Sequence, residues 1–179
     1  MIAAVLVLLN TYPLLQSQDM VFKSKETSMK SAVKIIEASL GGLKQLDEEN
    51  VTRALSSVRE TGASRVLVTD TAGRILYDTR EENGAVGLYA FYTEIVQALE
   101  GNDAFYSYYD STAFLSRMAS PVVYHNQIVG AVYAYEYDTE QADILKSFQS
   151  NLMKISVLIA LGVVLLSILL SRVLTAQIT

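Results

Sequence analysis

Six side chains in the second half of the chain are candidates for a ligand site: Tyr106, Tyr108, Arg117, Tyr133, Tyr135 and Glu136. An arginine presents a planar fork of N–H donors that fits a carboxylate bidentately, and tyrosine hydroxyls can orient what the fork holds. They fall in three stretches that alternate as strands, Ala104–Tyr109, Phe114–Tyr124 and Gln127–Asp138. Tight turns at Asp110–Ala113 and His125-Asn126 would set Asp110 opposite Ala113 and Tyr124 opposite Gln127. Alternation then sorts the side chains. One face is expected to carry Tyr106, Tyr108, Leu115, Arg117, Ala119, Val132, Ala134 and Glu136. The other carries Phe105, Ser107, Tyr109, Phe114, Ser116, Met118, Tyr133, Tyr135 and Tyr137. Arg117 is expected across from Ala134, with small Ala119 beside it and Glu136 as a diagonal neighbour. Two readings stay open: Arg117 and Glu136 neutralise each other, or Arg117 binds a carboxylate-like ligand with the tyrosines. The Tyr133/Tyr135/Tyr137 stripe is either half-buried sheet surface or the wall of a pocket.

Other chemistries find little support. The chain has no cysteine, which removes disulfides and thiolate metal sites. Its single histidine, His125, cannot form a multi-histidine metal site, would have to serve itself in any Ser-His-Asp triad, and sits in a turn expected to be exposed. Asp47-Glu48-Glu49 reads as a solvated helix end rather than a cation site. Thirteen of the 14 basic and all 19 acidic residues lie from Asp19 to Lys154, leaving that interior net acidic. Such a surface argues against nucleic acid as a partner. No metal or cofactor is expected within these residues.

The elements that must position the six side chains can be read along the chain. Apolar residues at Phe22, Met29, Ile36 and Leu43, with Val33 and Leu40 offset by four, mark a long helix whose heptad-like stripe packs on a sheet or on a partner helix. A shorter helix follows with Val51, Leu55 and Val58 inward, ending near Gly62. The period then changes to two. Arg65–Thr69 reads as a strand, Asp70–Gly73 as a turn and Arg74–Asp78 as the hairpin partner. Residues 79–88 form a loop, and Phe91–Leu99 a short helix with Ile95, Val96 and Leu99 inward. After the last three strands, Thr139 is placed to cap a helix from Glu140 through Leu145, Phe148 and Leu152. The expected fold is α+β, a PAS-like five-stranded antiparallel sheet with the long N-terminal helix on one face.

Both ends are apolar. Ile155–Ser171 has no charged residue and is flanked by Lys154 and Arg172, close to the roughly 20 residues a spanning helix needs. Residues 1–17 read as a shorter span with its start trimmed; a cleaved signal peptide is the alternative. The expected organisation is therefore a span at 1–17, a domain at 18–150, a second span at 151–174 and a linker from 175 to 179. Lys23, Lys25, Lys30 and Lys34 would place the loop inside by the positive-inside rule, but that rule weakens for so long a loop, and charge alone leaves the side open.

Val66–Thr79 (VLVTDTAGRILYDT) resembles the first hairpin of extracytoplasmic Cache, or PDC, sensor domains, which are PAS-like. Ala119–Val123 (ASPVV) and Ile128–Tyr133 (IVGAVY) resemble the last two strands of the same family. Ser171–Thr179 (SRVLTAQIT) resembles the start of a HAMP linker, stopping short of its usual proline. The resemblance, which covers nearly the whole chain, implies the input half of a bacterial sensor histidine kinase, with residues 18–150 outside the cytoplasm. It further implies a homodimer in the cell membrane. ATP and Mg are implied only for a kinase region beyond these residues, as is a cytoplasmic response regulator as partner. The signal would be a small carboxylate-like molecule or a protein. A chemoreceptor or cyclase sensor, or a dimerising protein-interaction module without a small-molecule site, would be the alternatives. No catalytic motif lies within these residues.

Overall fold

The computed structural model describes residues 2–56, 58, 62–80 and 84–176, with side chains described from residue 11 to residue 173 of these. In chain order the elements are α1 (Ile2–Leu40), α2 (Glu48–Leu55), β1 (Arg65–Thr69), β2 (Ile75–Asp78), α3 (Thr93–Leu99), β3 (Ala104–Tyr109), β4 (Phe114–Tyr124), β5 (Gln127–Asp138) and α4 (Glu140–Ala176). The strands form one antiparallel sheet in the order β2-β1-β5-β4-β3. This is the α+β, five-stranded architecture the periodicities predict. The central place of β5, the last strand in sequence, is what no local pattern reveals.

α1 lies across one face of the sheet. Its stripe Met29, Val33, Ile36 and Leu40 is buried against Val66, Val68, Met118, Val122 and Val132, with Val51 and Leu55 of α2 closing the layer. α2 begins with a capping box, in which Asp47 accepts from the Asn50 N–H at 2.8 Å and the Asn50 side chain accepts from the Asp47 N–H at 3.0 Å. The other face is covered by α3 and the segment before it, around Leu67, Ile75, Ala90, Ile95, Ala98, Ala119, Ala131 and Tyr133. α3 turns inward with Glu94, Ile95 and Ala98, whereas Val96, expected inside, is exposed. The helix is only two turns long, so the neighbouring sheet rather than its own apolar content sets its rotation.

The largest correction concerns β5. The β4–β5 hairpin turns tightly at His125-Asn126, both at positive φ, and Tyr124 faces Gln127 as expected. However, Val123 pairs with Ile128 and Val122 with Gly130, leaving Val129 unpaired in a bulge. One extra residue moves every later side chain of β5 to the opposite face. Arg117 therefore pairs with Tyr135, not Ala134, and Tyr133, Tyr135 and Tyr137 join the Arg117 face. Glu136 leaves that face. The predicted Arg117–Glu136 pair does not form, and Glu136 instead accepts from Lys25 of α1 at 2.6 Å. Gly130 makes the bulge possible: a Cβ there would lie 2.1 Å from the Thr69 carbonyl oxygen on β1.

α4 runs on from β5. The side chain capping its start is that of Asp138, which accepts from the Gln141 N–H at 3.0 Å, while Thr139 contributes its backbone carbonyl to Asp143 N–H. Among the described residues, one helix, Glu140–Val173, contains a stretch long and apolar enough to cross a membrane, and none of that stretch is buried within the protein. Of the span expected at 1–17, residues 2–17 lie in the first half of α1; residue 1 and the side chains up to residue 10 are outside the described residues. The end of the 175–179 linker likewise lies outside the described residues.

Candidate functional site

The corrected register assembles a row of side chains across four strands on the α3 face. Arg65 of β1 pairs with Tyr135 of β5, Tyr135 with Arg117 of β4, and Arg117 with Tyr106 of β3. The next row is Leu67, Tyr133, Ala119 and Ala104. The two alanines stand low, while the flanking row is long and polar. A cleft of about 230 Å³ lies on this face, lined by Arg65, Leu67, Arg80, Tyr92, Arg117, Tyr133 and Tyr135. Of the six residues singled out from sequence, Arg117, Tyr133 and Tyr135 line it. Tyr106 and Tyr108 are on the same face but stand exposed beside each other, their ring centroids 6.1 Å apart. Glu136 is on the far side of the sheet.

The arginines differ in what holds them. Arg65 is fixed by Asp78, with Nε–Oδ1 at 3.0 Å and NH2–Oδ2 at 2.6 Å. The Asp78 side chain is fully buried and also accepts from the N–H groups of Arg80 at 3.0 Å and Ala85 at 2.8 Å. Burial works to raise the Asp78 carboxyl, but the Arg65 bond and the two backbone N–H groups outweigh it and hold the group below its ordinary value. The hydrogen bond that Arg65 donates to Asp78 in turn raises Arg65. This pair is structural, tying the segment after β2 to the sheet. Arg117 makes no hydrogen bond or ion pair among the described residues.

Tyr133 is the buried centre. Tyr92, immediately before α3, stacks on it with ring centroids 5.1 Å apart and planes 18° from parallel. Burial pushes the Tyr133 phenol up to about 12, with Arg117 pulling it down and Glu94 pushing it up. Glu94 is 7% exposed, and its Oε2 has no hydrogen-bond partner among the described residues. Arg117 and Glu94 thus act on the Tyr133 phenol with opposite sign. Sequence reading missed Arg65, Arg80, Tyr92 and Glu94. Gly130, an isolated glycine in a strand, was the available sign of the bulge that would have placed Tyr133 and Tyr135 correctly.

The sheet order and flanking helices define a PAS-like α+β fold. The chain is similar to the sensor domain of the V. cholerae histidine kinase DctB, with 19% identity over 78% of this chain and 59% of that one, at a TM-score of 0.52. It is similar also to an extracellular ligand-binding receptor from Desulfohalobium retbaense, with 12% identity over 76% of this chain and 26% of that one, at a TM-score of 0.56. The chain therefore spans well under two thirds of either structure. No protein-family model and no curated protein sequence matches it.

Proposed function

We propose that this chain is the signal-input part of a membrane receptor of the sensor histidine kinase type, with residues 18–150 forming an extracytoplasmic domain that binds a small carboxylate-bearing ligand in the α3-face cleft. The observation that carries the reading is Arg117: an arginine with no hydrogen bond or ion pair among the described residues, beside Tyr133 and Tyr135 in a cleft of about 230 Å³. The fold shared with the DctB sensor domain supports it. In this reading Arg117 takes the carboxylate bidentately, and Tyr133 and Tyr135 orient the rest. Arg65 and Asp78 keep the cleft in shape, and the kinase, with its ATP, Mg and response regulator, belongs to further sequence. A chemoreceptor output would use the same input.

The apolar surface of α4 from Ile155 to Val173 is exposed along its length, which suits a helix solvated by lipid. Homodimerisation is assigned to the outer side of α1 and α4, where Met20, Ile144 and Phe148 border an apolar groove of about 490 Å³. The binding test is calorimetric titration of the full chain in nanodiscs with acetate, succinate, L-alanine and γ-aminobutyrate, each repeated with Arg117→Ala. Binding of at least one probe that Arg117→Ala abolishes supports the reading. Binding unaffected by Arg117→Ala, or no binding by any probe, would count against it.

A further inference from the structure

On the side of the sheet away from the cleft, the end of β5 is gripped by a lysine. Lys25 of α1 is 5% exposed, and its ammonium bonds both Glu136, at 2.6 Å, and Asp138. Asp138 also caps α4 through the Gln141 N–H. One cation thus ties α1 both to the end of β5 and to the residue that caps α4. Glu136 follows Tyr135 directly, and successive residues of a strand face opposite sides. Tyr135 therefore lines the cleft while the residue about 3.8 Å further along the backbone holds the lysine. The aromatic contact of Phe22 with Phe114, at 5.5 Å between centroids, lies next to this grip, since Phe114 pairs with Asp138.

We propose that Lys25 is a coupling latch: it ties α1 to the last residues of β5 and, through Asp138, to the first turn of α4, so that displacement of β5 at the cleft changes how α1 and α4 are held together. The proposal rests on the sensor reading above and assigns the regulation of that site. A buried lysine with two carboxylates has one well-satisfied arrangement, so the junction is either latched or released rather than continuously adjustable. A ligand that draws Tyr133 and Tyr135 toward Arg117 pulls Glu136 and Asp138 with them, because they are the same strand. The lysine, fixed on α1, resists that pull until its bonds break.

The test is hydrogen exchange of the full chain in nanodiscs, comparing wild type with Lys25→Met, and with Glu136→Gln as the milder variant should the first not fold. The backbone N–H of Gln141 and those of Tyr133–Tyr135 are expected to exchange about tenfold faster or more in the variant, while core N–H groups such as those of Val66 and Val68 keep their rates. Lys25→Arg is expected to return most of the protection. Wild-type exchange at Gln141 in the variant, or an equal rise throughout the core, would overturn the proposal, the latter showing only general destabilisation. None of these readouts uses a ligand. A failure of the latch therefore shows in exchange, and a failure of the cleft as a binding site shows in the titrations.

Discussion

Arg117 on β4 stands in register with Tyr135 on β5, on the face of the sheet opposite to Glu136. The acidic residue that could have neutralised the arginine is thus turned away and used by Lys25, and Arg117 has no ion pair among the described residues. The two arginines that line the sheet floor of this cleft consequently have different costs of removal.

Arg117→Ala should change folding stability by no more than about 0.5 kcal/mol, because it removes no hydrogen bond or ion pair among the described residues. Arg65→Ala should destabilise by about 3 kcal/mol, since it leaves the fully buried Asp78 carboxylate without its guanidinium. Chemical denaturation of both variants measures the difference directly. Equal losses would mean that Arg117 has a structural partner after all.

Acid should weaken the fold through Asp78 and Asp138. At Asp138, burial pushes the carboxyl up, but the Lys25 hydrogen bond and charge together with the backbone N–H groups of Gln141 and Glu140 outweigh it, so both groups titrate below the ordinary 3.8 in the folded protein. A depressed folded value means that the stabilisation is complete above the unfolded value and lost as pH falls through it toward the folded values. Denaturation midpoints should therefore fall steeply below about pH 4 in the wild type. Asp78→Asn should be less stable at pH 7 and show a shallower decline in acid.

At the other end of the scale, the Tyr133 phenol, raised by burial to about 12, favours the folded state in its neutral form. The associated stability is complete below the ordinary value of 10.0 and is lost as pH rises through about 12. The difference in near-ultraviolet absorbance between wild type and Tyr133→Phe, followed against pH, should report this late ionisation. A carboxylate bound at Arg117 should delay it further, because it cancels the positive charge that favours the phenolate.

Gly130→Ala should destabilise by about 3 kcal/mol, since the added methyl meets a backbone carbonyl of β1 that cannot swing aside. Arg117 should then lose affinity for any carboxylate probe as well, because relief of the clash moves β5 and with it Tyr133 and Tyr135. A variant that retains both stability and binding would show that the strands separate locally without consequence.

Much of this protein follows from local sequence. The buried stripe Met29, Val33, Ile36 and Leu40, the strand limits from Arg65–Thr69 to Gln127–Asp138, the turn at His125-Asn126 and the exposed apolar run of α4 are all visible as periodicity and turn chemistry. These depend on neighbours within a turn of helix or a few residues of strand. The face that each β5 residue occupies does not. It depends on a single unpaired residue, Val129, and on the close approach of Gly130 to Thr69, a residue far away in the chain. Because side chains alternate with a period of two, that one residue exchanged the roles of Glu136 and Tyr135. Local sequence determined the elements and the candidate arginine. Only the tertiary structure, by packing β5 between β1 and β4, decided that Tyr133 and Tyr135 share the cleft with Arg117 and that Glu136 belongs to Lys25.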